Sequence, residues 1–182
     1  MIDNIMSFYL KDSDTNELVC FHDECYGTYT SISDAYGIEV PFNPIHQFDY
    51  YNQRLDILKD HIKPINTKIV YQRLCSNRLC PQTDQALDEI FGKIGAERVP
   101  RQYERKNALC CGGGGNFFTD ILSGGDDSSA RVRIREAVDA GAQILAAACP
   151  MCAVMLEDAV KAENLDGRIQ VVEVSEIVNK RL

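Results

Sequence analysis

Five cysteines hold the chemistry that can be read from this chain: Cys75, the adjacent pair Cys110-Cys111, and the two ends of Cys149-Pro-Met-Cys152. Cys149 stands where a helix opens, and a thiolate there gains from unpaired backbone N–H groups that favour negative charge. Two intervening residues let both sulfurs of the Cys-x-x-Cys run reach one metal or one cluster edge. Adjacent cysteines seldom bridge to each other, because the bridge strains the peptide. This pair is followed by Gly112–Gly115, backbone that can approach a bulky inorganic group closely and present N–H groups to sulfides or to an anion. No Lys-Ser/Thr pair follows the glycines, so they are not a phosphate-binding loop. Tetrahedral zinc takes four ligands, and a cubane iron–sulfur cluster takes four cysteines. A fifth thiol is then a bystander, a catalytic group or a bridging ligand of a larger site. The residues alone leave these open, together with a thioredoxin-like dithiol on Cys149 and Cys152.

The elements that must position these sulfurs follow a regular order from Lys68 onward. KIVYQ reads as a β-branched strand. Thr83 caps a helix with Leu87, Ile90, Phe91 and Ile94 on one face and Gly95 as its stop. Asp126-Asp127-Ser128-Ser129 caps a helix through Val138, stopped by Gly141. GAQILAAAC is a strand buried on both faces, and PMCAVMLEDAVKAEN a helix with Pro150 in its first turn. IQVVEV is a strand, Ser175 a cap and EIVNKRL a closing helix. Upstream, residues 1–19 read as a ragged start and 47–62 as a helix ended by Lys63-Pro64. Strands alternating with helices predict an α/β fold, a parallel sheet with crossover helices. Ligands gather at the carboxyl ends of such strands. Cys75 lies just past one strand and Cys149 just past another, so the cysteines fall on that edge.

The 182 residues allow one sizeable domain with a smaller N-terminal appendage. A formal net charge of −8 argues against nucleic-acid binding, and Arg131, Arg133 and Arg135 read as a solvated helix face. No window approaches the roughly 18 apolar residues of a membrane span. The first residues lack the pattern of a signal peptide, which makes the cytoplasm the expected location. Eight cysteines in such a chain point to metal binding or redox chemistry rather than to a disulfide framework.

The order Cys75, then Cys110-Cys111-Gly112, then Cys149-x-x-Cys152, with the intervals between them, resembles the cysteine-rich CCG domain. That domain is found in the B-type subunit of heterodisulfide reductase and in related subunits of lactate and glycolate oxidation complexes. The resemblance covers residues 67–182. It implies a noncubane [4Fe–4S] cluster held by Cys75, Cys110, Cys111, Cys149 and Cys152. It further implies an oxidoreductase subunit that passes electrons from flavin or iron–sulfur partner subunits to a thiol or disulfide substrate. Some members hold zinc at the same motif, and a zinc-stabilised interaction module is the alternative. Full B-type subunits carry two such domains, and this chain has one complete motif. Cys25 and the residues through Arg54-Leu55 parallel Cys152 and the residues through Arg181-Leu182. Residues 1–66 are therefore expected to include the remnant of a degenerate first domain.

Other residues carry weaker expectations. Cys80 as first ligand would leave an interval before the pair that is short for the family, so it reads as a buried small hydrophobe. Cys20 and Cys25 read as half-buried structural thiols, with a second metal site around His22, Asp23 and Glu24 as the sharper alternative. The run His22-Asp-Glu-Cys25 also resembles the stretch that introduces the first ligand in many CCG domains. His46 and His61 read as packing or surface residues. Asn116-Phe117-Phe118 is expected to pack over the site, and Arg73 and Arg78 read either as stabilisers of a thiolate or an anionic substrate or as solvated charge.

Overall fold

The computed structural model describes residues 2–113 and 128–182. Two parallel sheets organise them. The smaller pairs β1 (Glu17–Cys20) with β2 (Asn43–His46). Between these strands lies α1 (Asp23–Gly27), whose helical path continues to residue 35, and after them α2 (Gln47–Ile57). The larger sheet comprises β3 (Lys68–Tyr71), β4 (Glu97–Arg98), β5 (Ile144–Ala147) and β6 (Gln170–Glu173), in the order β4-β3-β5-β6. Every pairing in it is parallel, as the alternation of strand and helix requires.

The crossovers are α3 (Thr83–Lys93), α4 (Ser129–Asp139) and α5 (Pro150–Ala162), and α6 (Val174–Asn179) follows β6. β3 and β5 are short runs buried along nearly their whole length: Ile69, Val70, Leu145, Ala146 and Ala147 are all inaccessible to solvent. α3 buries Leu87, Ile90 and Phe91, α4 Ile134 and Ala137, and α5 Leu156 and Ala159. Phe48 and Leu55 of α2 belong to the same hydrophobic cluster, and the Asn52 side-chain amide donates to the Ala86 carbonyl at 2.8 Å. The N-terminal third therefore shares the core of the larger sheet. Gly95 and Gly141 end α3 and α4 in the left-handed region, at φ 68° and 73°, conformations that a side chain would strain.

Several expectations need correction. The ragged start contains β1, whose Glu-Leu-Val-Cys is too short to show a period. α2 ends at Ile57, and residues 59–61 form a separate tight turn. β4 is a further strand that the sequence pattern does not announce. Ser175 lies inside the first turn of α6 and Glu173 takes the capping position. Arg133 is fully buried rather than solvated, and Arg131 and Arg135 both pair with Glu163, at 2.5 and 3.0 Å. Gly114, Gly115, Asn116-Phe117-Phe118 and Asp126-Asp127 lie outside the described residues.

Candidate functional site

β3 and β5 are the two central strands, in register from Ile69↔Ile144 to Tyr71↔Ala146. The chain leaves β3 toward β4 on one side and leaves β5 toward β6 on the other. Strands that part in this way open a crevice at their carboxyl ends, the place where open α/β sheets bind ligands. Cys75 begins a tight helical turn, Cys75–Leu79, just after β3. Cys149 occupies the N-cap of α5, just after β5, and Pro150 takes the first turn.

From these positions the sulfurs run in a chain. The Cys149 sulfur accepts backbone N–H groups of Met151 and Cys152, as a thiolate at a helix N-terminus should. The Cys152 thiol, buried in the first turn of α5, neighbours the sulfurs of both Cys149 and Cys111. Cys110 neighbours Cys111 in turn. Gly112 N–H donates to Cys110 Sγ and Gly113 N–H to Cys111 Sγ, each at 3.4 Å. Cys110 and Cys75 line one cavity of about 220 Å³, together with Arg73, Leu74, Ala108 and Leu109. The chain grades from buried Cys111 and Cys152 through half-buried Cys110 and Cys149 to exposed Cys75. The structure thus brings together all five cysteines singled out in the sequence.

Their protonation follows from these contacts. The Cys152 thiol first, and His22 second, draw Cys149 down to about 3. Cys152 likewise is the main cause that draws Cys111 down to about 6. Cys152 itself is pushed far up, by Cys111 first and Cys149 second. Of the three, Cys152 is the thiol that holds its hydrogen most firmly, and Cys149 and Cys111 are the ones drawn toward thiolate. Burial pushes Cys110 up, against the Gly112 N–H.

A layer behind the sulfurs holds the loop of the vicinal pair. Gln72, just past β3, donates through Nε2 to the Leu109 carbonyl at 3.0 Å, and its Oε1 accepts from Arg133 Nε at 2.9 Å. Ser129 Oγ donates to the Cys110 carbonyl. A Cβ at Gly113 would lie 2.6 Å from Met151 Cγ and 2.9 Å from Met155 Cγ, so the loop rests directly on α5.

Other candidates fall elsewhere. Arg73, at the wall of the Cys75–Cys110 cavity, pairs with Asp84 at 2.9 Å, and Arg78 donates to the Cys75 carbonyl. Cys80 is fully buried, its thiol 3.4 Å from the Asp23 carbonyl oxygen. Cys20 is buried and Cys25 exposed, rather than both half-buried. His46 is wholly buried against Asp23, at 2.8 Å, and His61 is exposed. Among the described residues, no three His, Cys, Asp or Glu side chains converge as ligands of a single metal ion. That holds around Cys20 and Cys25 and around the five sulfurs alike. Sequence reasoning missed Gln72 and read Arg133 as solvated. It met His22 only within the His22-Asp-Glu-Cys25 run.

Residues 69–157 match the family model of the cysteine-rich domain CCG. The match begins on β3, ends within α5 and takes in all five cysteines of the chain of sulfurs. No curated protein matches the chain. Among the described residues, no helix is long and apolar enough to cross a membrane.

Proposed function

From the match of residues 69–157 to the cysteine-rich CCG family model, we propose that the chain is an iron–sulfur redox subunit, resembling the B-type subunit of heterodisulfide reductase, that passes electrons to a thiol or disulfide. The observation that carries the reading is the chain of five sulfurs along the β3/β5 edge. Cys75, Cys110, Cys111, Cys149 and Cys152 would hold a noncubane [4Fe–4S] cluster. When bound, such a cluster supplies one-electron chemistry at iron and open affinity for a sulfur ligand.

The donor set fits that group. It offers five thiols where a cubane needs four. Five sulfurs linked neighbour to neighbour suit a group of several irons better than a single tetrahedral ion, which takes four ligands. The protein's own contribution is fixed by its contacts. Met151 and Cys152 N–H groups hold the Cys149 sulfur. Gly112 and Gly113 N–H groups hold the vicinal pair, and such hydrogen bonds to ligand sulfur tune a redox centre. Burial of Cys111 and Cys152 keeps water from the inner side, while exposed Cys75 leaves the outer side open to a small thiol or disulfide. Flavin or iron–sulfur subunits are the partners that would deliver electrons.

Iron and acid-labile sulfide analysis of anaerobically purified protein tests the proposal. About four irons and four sulfides per chain are expected, the content of the cluster named above. One zinc per chain without sulfide would sink it and leave a structural, interaction-bearing module in its place.

A further inference from the structure

The N-terminal third repeats the scaffold of the site. β1 and β2 pair in parallel, from Glu17↔Asn43 to Cys20↔His46. β5 and β6 pair from Ile144↔Gln170 to Ala147↔Glu173, and the separation of the partners along the chain is the same in both. In each unit a two-residue link joins the first strand to a helix, and the second strand runs straight into another helix. A single sequence shift carries Glu17 onto Ile144 and Asn43 onto Gln170, and so lays both strands of one unit on both strands of the other. That shift also carries Cys25 onto Cys152 and His22 onto Cys149. The capping positions agree: His22 is the N-cap of α1 as Cys149 is of α5.

The two units meet at these caps. A cavity of about 170 Å³ is lined by Phe21 and Gln47 from the first unit and by Ala148, Pro150 and Val174, among others, from the second. Phe21 and Ala148 are equivalent under the same shift, and so are Gln47 and Val174. Equivalent residues face each other across the junction, as they would about an approximate two-fold axis. His22 and Cys149 are the next such pair. His22 Nδ1 accepts the Glu24 N–H at 3.3 Å, which places the hydrogen of the neutral ring on Nε2. The Cys149 sulfur is a close neighbour of the same ring.

We propose that His22 is a positioning residue of the five-cysteine site: the N-terminal repeat, whose Cys-x-x-Cys has become His22-Asp-Glu-Cys25, reaches across the junction and donates Nε2–H to the Cys149 sulfur. The redox consequence rests on the cluster reading above, whereas the hydrogen bond does not. A donor to a ligand sulfur draws charge from the site, favours its more negative, reduced form and raises its potential.

The variant of choice is His22→Asn, because asparagine preserves the N-cap of α1 and is too short to reach Cys149. In the reduced, metal-free, ¹⁵N-labelled full chain, the His22 ring should appear as the Nε2–H tautomer. Cys149→Ala should move its ring nitrogens and leave those of His46 and His61 in place. In anaerobically reconstituted protein, His22→Asn should retain the iron and sulfide of the wild type and shift the midpoint potential to a more negative value. A His22 ring unmoved by Cys149→Ala overturns the proposal, and so does an unchanged potential in a fully loaded variant. Wild-type protein without iron and sulfide defeats the redox reading instead, and the ring nitrogens then decide the hydrogen bond by themselves.

Discussion

The Cys152 thiol lies beside the Cys111 sulfur, and this contact joins α5 to the loop of the vicinal pair across the β3/β5 crevice. The same thiol reaches Cys149. Cys152 is therefore the junction of the row of sulfurs, and its removal separates the two segments that carry the other members. Cys152→Ser should lower iron and sulfide per chain several-fold after anaerobic reconstitution. Cys25→Ser, at the equivalent but exposed position of the N-terminal repeat, should leave both unchanged. Equal metal content in the two variants would show that Cys152 is not needed to hold the group.

The metal-free protein should reveal its thiolates by reactivity. Cys149 is held at about 3 and Cys111 at about 6, both chiefly by the Cys152 thiol. Burial pushes Cys20 up to about 11 and Cys80 to about 12. Only the thiolate attacks an alkylating agent. Cys149, with its lowered value, is already ionised at pH 5, so its rate should be nearly flat from pH 5 to 8. Cys111 should gain rate as pH rises through about 6. Cys20 and Cys80 remain protonated over that whole window. A lower-pKa thiolate is a weaker nucleophile, yet the ionised fraction dominates, and a ratio above about a hundredfold at pH 5 follows. Peptide mapping after brief iodoacetamide treatment measures it. Labelling of Cys80 as fast as Cys149 would contradict the arrangement of protons.

How far the sequence reaches is clearest at particular residues. β3 and β5 are legible because their apolar runs are unbroken, β6 because adjacent valines mark it, and α5 because Pro150 marks its first turn. Placing Cys75 and Cys149 just past the central strands is enough to bring them to one edge. The supporting contacts are not legible. Arg133 reads as one charge in a basic helix face, and only the packing of α4 on the sheet shows that it is buried against Gln72. β1 and β4 are too short to carry a period. Arg73 stands near Cys75 along the chain, but its guanidinium pairs with Asp84, in the first turn of α3.

The N-terminal repeat is anchored by a buried pair. Asp23 Oδ1 accepts His46 Nε2–H at 2.8 Å, and His46 Nδ1 accepts the Phe48 N–H at 3.2 Å. Both side chains are essentially inaccessible. Asp23→Ala leaves the imidazole N–H buried without a partner, which costs about 1–3 kcal/mol. Asp23→Asn keeps an acceptor oxygen in place and should cost less. Urea unfolding of the two variants under reducing conditions gives the comparison. Equal losses would mean that the hydrogen bond to His46 contributes nothing beyond the volume of the side chain.

Gly113 tests whether the loop of the vicinal pair must rest on α5. An added Cβ would stand 2.6 Å from Met151 Cγ, 2.9 Å from Met155 Cγ and 3.3 Å from the Met151 carbonyl oxygen. The methionine side chains can swing aside, but the carbonyl belongs to the first turn of α5 and cannot. Gly113→Ala should therefore lift the loop by a few tenths of an ångström. Overpacking of this kind costs about 1–3 kcal/mol. The displacement falls on the Gly113 N–H to Cys111 Sγ bond and on the contact between Cys111 and Cys152. Reconstituted Gly113→Ala should lose iron faster than wild type under a chelator challenge. Met151→Ala in the same chain should recover part of the stability but little of the iron retention, because the carbonyl contact persists. Full recovery of both would place the constraint in the methionine side chain alone.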